Sequence, residues 1–374
     1  MEALILSCST GGGHNAAGFA IKEELESRGH SVTMMDPYEL ESYRLAVEIG
    51  NAYVKLVQKT PRTFGFVYML GSLVRRAPGK SPVYYANITV AKKLKKYLDE
   101  HHTDAIIMPH LFPAELVTYL KKKGVKLPVT VFVATDYTCI PFTEETDCDY
   151  YVIPGEAQKK EFIKRKIPKD KLLTFGIPVR RDFGDEISME SARDELKLAQ
   201  DKRYVLLTGG SIGAGNISKS IDIIIKHFKK NNIPGEVIVV CGNNKKLIGS
   251  LRKRAKKYYD GKLTVIGKTD RMALYMRACD VFISKPGGLS STEAAVLGTA
   301  YIHITPIPGC ETKNMRYFSK CGMSIAVKNP QRSLAKALDQ CFDKEKVQNM
   351  KKSQHTNIPL HAREDICDWL EDIT

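Results

Sequence analysis

Residues 281–314, VFISKPGGLSSTEAAVLGTAYIHITPIPGCETKN, constrain the architecture of this chain more than any other stretch. Val281, Phe282 and Ile283 form a short apolar run that ends in Ser-Lys-Pro-Gly-Gly, which predicts a buried strand entering a tight turn. Residues 289–297 carry helical spacing and stop at Gly298, a natural C-terminal breaker. A second apolar run, 300–304, follows at once. Strand, glycine turn, helix and strand in that order make one unit of a parallel sheet.

The turn of this unit has the chemistry of an anion site. Gly287 and Gly288 have no side chains, so backbone N–H groups can approach a ligand closely. Ser290, Ser291 and Thr292 add hydroxyls where the helix begins, and a helix N-terminus favours phosphate through its N–H groups and its dipole. Ser290 and Glu293 also form an S-x-x-E capping box, so the local pattern supports both a helix cap and a ligand contact.

The same unit recurs along the chain. Residues 3–7 read as a strand, followed by Ser9-Thr10-Gly11-Gly12-Gly13-His14, a helix from Asn15 and a second strand closed by Asp36-Pro37. Gly11-x-Gly13-x-x-Ala16 with Asp36 is a loose dinucleotide fingerprint, weak when it stands alone. Strands at 105–108, 129–134 and 150–153 lead into Pro109-His110, Thr135-Asp136 and Pro154-Gly155. After a polar stretch the pattern restarts, with 204–207 leading to a glycine-rich turn that contains Ser211. Strand 236–240 leads to Cys241-Gly242-Asn243-Asn244, and 263–266 to Gly267-Lys268-Thr269. Alternating strands and helices with short loops imply doubly wound parallel sheets, with ligands beyond the strand C-termini, where all of these motifs lie. We expect domains at 1–184 and 203–355, a connection at 185–202 and a C-terminal helix at 356–374 packing back on the first domain.

Composition narrows the partners. The 374 residues suffice for two cores and include no run long enough to span a bilayer. No signal sequence opens the chain, and nine scattered cysteines without metal-ligand spacing suit reduced thiols in the cytoplasm. The net charge of +15 suits nucleic acid, anionic lipid or polyphosphate. Between Asn51 and Glu100, ten Lys/Arg stand against two acids, among aromatic and aliphatic residues. That mixture suits a peripheral membrane surface, with Arg75, Arg76 and Lys80 for headgroups and Phe64, Phe66 and Leu73 for shallow insertion. It is equally compatible with a solvated basic face over a packed core.

These motifs together resemble the lipid-directed glycosyltransferases that make monoglycosyl diacylglycerol: monogalactosyldiacylglycerol synthases and processive diacylglycerol β-glucosyltransferases. The similarity runs over nearly the whole chain and is most specific in K-P-G-G-L-S-x-x-E-A followed by P-G-x-E-x-x-N, Lys285 to Asn314. It implies a GT-B architecture of two doubly wound domains facing a central cleft, and inverting transfer of a hexose from UDP-glucose, UDP-galactose or another UDP-hexose to diacylglycerol. No cofactor, metal or nucleic acid is implied, and the place of action would be the inner face of the cell membrane, with an anionic surface as partner. Carried onto this chain, Pro286, Gly287, Gly288, Leu289, Ser290 and Ser291 would hold the diphosphate and Glu293 the ribose. Lys268 and Thr269 would meet uracil, with Ser211 and Asn244 nearby, and Glu311 and Asn314 would meet sugar hydroxyls. Gly13 and His14 would lie near the reacting centre. Cys310 stands where the family usually has Gln, and no His or Trp follows Thr135-Asp136 closely.

An inverting displacement needs a base at the acceptor hydroxyl and stabilisation of the departing diphosphate. His14 is the candidate base, with Asp136 as orienter or alternative; each has a bland reading, as a helix-end or turn residue. Asp147-Cys148-Asp149 fits a metal-binding D-x-D, but lies just before a strand and far from the nucleotide turns. No G-x-x-x-x-G-K-[ST] run supports an NTPase. A transferase using UDP-N-acetylglucosamine on an isoprenoid-linked or other lipid, and a non-catalytic nucleotide-sugar-binding membrane protein, are the alternatives.

Overall fold

The computed structural model describes residues 1–8, 12–42, 44, 88–209 and 217–374. The first six strands are β1 (Glu2–Leu6), β2 (Ser31–Met35), β3 (Ala105–Met108), β4 (Val129–Val133), β5 (Tyr150–Val152) and β6 (Leu172–Leu173). They form one parallel sheet in the order β2-β1-β3-β4-β5-β6. The next six are β7 (Arg203–Thr208), β8 (Gly235–Val240), β9 (Leu263–Ile266), β10 (Val281–Ser284), β11 (Tyr301–Ile304) and β12 (Ile325–Val327). These form a second parallel sheet, ordered β12-β11-β10-β7-β8-β9. Strand order reverses at β1 in the first sheet and at β7 in the second. Each reversal opens a crevice beyond the strand C-termini, where open α/β sheets bind ligands.

The strand sequences explain why both faces of each sheet are covered. AIIM of β3 and VFIS of β10 are buried at all four positions, the continuous apolar run of a parallel interior strand. Alternation then sorts side chains to opposite faces. Leu4, Leu6, Ile106, Met108 and Phe132 belong to one core cluster, and Ala3, Ile5, Ala105, Ile107 and Val131 to another. The second cluster is completed by Ile366, Cys367 and Leu370 of the C-terminal helix Ala362–Ile373, beside Ile21 and Leu25 of the helix Gly12–Ser27. Gly176 sits under this docking at φ 103°, and a Cβ there would come within 2.9 Å of Pro359 and 3.1 Å of Ala362. A side chain at 176 would therefore both strain the backbone and push the C-terminal segment away.

The contacts divide the chain into two units. One comprises Met1–Arg181, Pro308–Cys310 and Pro359–Thr374; the other comprises Asp182–Ile307 and Glu311–Ile358. The 185–202 segment, expected as a connection, is part of the second unit. Its helix Met189–Glu195 packs Ala192 against Leu274 and Ala278, and Arg193 makes a buried ion pair with Asp280 at 2.9 Å. All nine cysteines are free thiols, seven of them buried. No helix among the described residues is long and apolar enough to cross a membrane. The membrane-facing candidates Phe64, Phe66, Leu73, Arg75, Arg76 and Lys80 lie outside the described residues, as does Ser211.

Candidate active site

In the first unit the candidate base lies at the strand-order reversal. The helix begins at Gly12, three residues earlier than the sequence pattern suggests, so Gly13 and His14 stand in its first turn at the C-terminal edge of β1. His14 Nδ1 is 2.8 Å from the Pro109 carbonyl oxygen, just past β3, and 2.8 Å from Thr135 Oγ1, just past β4. A carbonyl can only accept, so the ring hydrogen sits on Nδ1 and the lone pair of the neutral ring is on Nε2. Burial lowers the His14 pKa, against opposing pulls from the charge of Asp136 and the bond to Pro109. A neutral imidazole with its lone pair on Nε2 has the form a general base requires.

His110, which the sequence reading passed over, completes this corner. It caps the helix Leu111–Lys122, its Nδ1 accepting from Phe112 N at 3.1 Å, and its ring meets that of His14 edge-on at 4.5 Å. Burial, then the neighbouring His14, hold its pKa well below the usual histidine value. A small pocket, with room for about 10 Å³, adjoins His14 and Asp136; Leu111, Phe132, Ile140 and Phe162 give it apolar walls, and Thr135, Thr138 and Thr143 add hydroxyls. The loop on one side contains Phe142 in the left-handed region at φ 71°, a strained conformation for a bulky side chain.

In the second unit, β10 runs into Lys285-Pro286-Gly287 and the helix Gly288–Leu297, ended by Gly298 at φ 66°. The N-cap is Gly287 and no side chain caps this end. Ser290 is the third helical residue, not the cap, so the capping-box reading of Ser290 and Glu293 is corrected. The first intrahelical bond at this end is Ser291 N to Gly287 O at 3.0 Å, which leaves the amides of Gly288, Leu289 and Ser290 ahead of it for a ligand. Ser291 differs from the expectation: its hydroxyl is fully buried and 2.9 Å from His303 Nε2. Thr292 Oγ1 donates back to Gly288 O at 2.9 Å. Glu293 stands half-buried on the same helix.

The second half of the motif braces this turn. Asn314 is fully buried and its Nδ2 donates to Pro286 O at 3.0 Å. Lys285 pairs with Glu311 Oε1 at 2.6 Å, and both side chains are largely buried. Glu311 Oε2 accepts from Ile307 N at 2.8 Å. Each carboxylate oxygen thus already has one donor, with lone pairs remaining for another. Asn244 caps the helix Lys245–Tyr258, accepting from Leu247 N at 3.0 Å. Thr269 Oγ1 accepts from Arg271 N at 3.1 Å, and Lys268 is exposed.

Two rival motifs find structural roles. Asp36 caps the turn Pro37–Leu40, accepting from Tyr38 N at 3.1 Å, which accounts for it without a dinucleotide. Asp149 pairs with Lys121 at 2.6 Å and accepts from Thr130, and Asp147 pairs with Lys171 at 3.4 Å. Both precede β5, at the sheet edge opposite the strand C-termini. Among the described residues no group of three or more His, Cys, Asp or Glu could hold a metal ion.

With this geometry in place, comparison with known proteins assigns the halves. Residues 14–179 match the monogalactosyldiacylglycerol (MGDG) synthase model, and residues 204–366 match the glycosyltransferase family 28 C-terminal domain. The chain is 27% identical to a processive diacylglycerol beta-glucosyltransferase of Bacillus licheniformis, over 94% of this chain and 89% of the relative. A protein of the same name from Bacillus pumilus is 24% identical over 99% of this chain and 94% of its own. Among solved structures, Acinetobacter baumannii MurG superposes with TM-score 0.62 at 13% identity, covering 99% of each chain. Neisseria meningitidis UDP-GlcNAc 2-epimerase bound to UDP-GlcNAc superposes at 0.64 and 14%, covering all of each chain. A transferase and an epimerase sharing one fold show that the fold alone does not name the reaction. The fold is of the GT-B type, and the chain joins an N-terminal region that matches the monogalactosyldiacylglycerol synthase model to one that matches the glycosyltransferase family 28 C-terminal domain.

Proposed function

We propose that the protein is an inverting hexosyltransferase that moves a sugar from a UDP-hexose to diacylglycerol, or to monoglycosyl diacylglycerol, to form a β-linked glycolipid. The observation that carries this reading is the joining of the two matched domains in one chain, with relatives named for that reaction aligned over nearly all of it. UDP-glucose is the first donor to test, because the named relatives are glucosyltransferases.

The residues take these roles. The diphosphate lies against the Gly288–Ser290 amides, where three N–H groups and the positive helix end meet the charge that grows as UDP departs. Pro286 and Gly287 form the turn that lets it approach, Glu293 accepts from the ribose hydroxyls, and Glu311 accepts from the sugar. Asn314 acts through the turn it braces. The acceptor hydroxyl oxygen attacks the anomeric carbon from the face opposite the leaving diphosphate, and its proton passes to His14 Nε2. Pro109 O and Thr135 orient that ring, and the Asp136 charge favours the imidazolium that forms. Docking on an anionic membrane surface through residues 51–100 would bring the protein to its acceptor.

The test is incubation of the protein with a panel of labelled UDP-sugars and vesicles containing diacylglycerol, followed by glycolipid analysis. Label in a glycosyl diacylglycerol supports the reading. Label only in an isoprenoid-linked lipid, or no label in lipid while UDP binds, overturns it.

A further inference from the structure

Beneath the Lys285–Gly288 turn runs a chain of buried polar groups that no step above uses. Ser284 Oγ donates to Lys285 O at 2.8 Å and lies 2.6 Å from the Tyr301 hydroxyl. That hydroxyl is 3.4 Å from Ser291 Oγ, which lies 2.9 Å from His303 Nε2, and His303 Nδ1 lies 2.8 Å from Ser324 Oγ. Ser291, Tyr301 and His303 are fully buried. An interior parallel strand is ordinarily apolar, and a buried imidazole is costly unless both nitrogens find partners. Here both do. One ring nitrogen carries the hydrogen and the other a lone pair, so one serine hydroxyl accepts and the other donates, which gives the chain a fixed direction.

The network ends on the parts that the donor reading uses: the turn carbonyl of Lys285 and the first helical turn at Ser291. The N-cap of that helix is a glycine with no side chain to cap it, and within the helix Thr292 and Ser290 bond only the carbonyls of Gly288 and Gly287. We propose that His303, with Tyr301, is a positioning residue for the nucleotide-sugar diphosphate, tying the first turn of the Gly288–Leu297 helix to β11 so that its amides keep one aim. This rests on the reading of that turn as the donor site.

Three substitutions separate positioning from plain core packing. His303→Gln places an amide near the Nε2 position and so keeps a partner for Ser291. His303→Asn reaches only toward Ser324, and His303→Leu reaches neither. UDP affinity by calorimetry, donor and acceptor KM, and thermal midpoints are measured for each. Losing a bond that fixes a helix end should weaken UDP binding about tenfold in the Asn and Leu variants and raise donor KM to match. The Gln variant should stay within about threefold of the parent, and acceptor KM should not move. Tyr301→Phe, which removes a single oxygen, serves as the second variant should the His303 changes prevent folding; it should weaken UDP binding several-fold. Asn, Leu or Phe variants that bind UDP as the parent does overturn the proposal, as does a Gln variant no better than Asn. A parent that fails to bind UDP overturns the donor reading itself.

Discussion

His303 makes the second unit sensitive to mild acid, and the size of the effect can be worked out. Its ring is fully buried, and burial alone pushes its pKa down from 6.5 to about 3. The unfolded chain therefore takes up a proton on this ring as pH falls below about 6.5, while the folded protein does not until about pH 3. Stability attached to the neutral ring is fully present above the unfolded pKa and is lost as pH falls through that window. Between pH 7 and pH 5 the loss is about 2 kcal/mol, set almost wholly by the unfolded pKa, because the folded ring stays neutral across that range. His14 and His110 are also depressed and add losses of the same sign. Comparison with His303→Gln cancels them. Urea unfolding of both proteins at pH 7 and pH 5, followed by far-UV circular dichroism, should show the parent losing about 2 kcal/mol more than the variant. Equal losses would refute the claim that the folded state keeps this ring neutral.

Three further outcomes follow from the proposed roles. Glu293→Ala should weaken UDP binding by roughly 1–3 kcal/mol through loss of charge-assisted hydrogen bonds, and an unchanged calorimetric affinity would remove Glu293 from the donor site. His14→Ala should bind UDP as the parent does yet lose most transfer in a steady-state assay, because a base acts in the transition state; near-normal turnover would move the base to Asp136 or elsewhere. Replacing Arg75, Arg76 and Lys80 with Ser should remove up to roughly 3 kcal/mol of attraction to anionic vesicles at low salt, leaving UDP affinity alone. Undiminished co-sedimentation would make residues 51–100 a solvated face.

Much of the fold is legible because a parallel sheet repeats one local signal. An apolar run of three to five residues leading to a glycine or proline turn predicts β1, β3, β10 and their neighbours, and alternation within those runs explains why both faces are buried. Helix starts are read less well. Gly12 and Gly288 are helical although glycine disfavours helix interiors, and the pattern starts the first helix three residues late, at Asn15, and the second one residue late, at Leu289, with Ser290 offered as its cap. What stays hidden is contact across sequence distance. Nothing local shows that Lys285 meets Glu311, that His303 reaches Ser291 and Ser324, or that His110 faces His14. The strand Tyr-Ile-His-Ile did carry a signal, a histidine in an otherwise buried run, which demands partners on both nitrogens.

The central claim is transfer of a hexose to diacylglycerol with inversion, and the product's anomeric proton reads it directly. The protein is incubated with UDP-glucose and phospholipid vesicles containing diacylglycerol, and the extracted glycolipid is examined by proton NMR. The account predicts a β-linked glucosyl diacylglycerol, formed one for one with released UDP. An α-linked product, or UDP release with no glycosyl diacylglycerol at all, would contradict it.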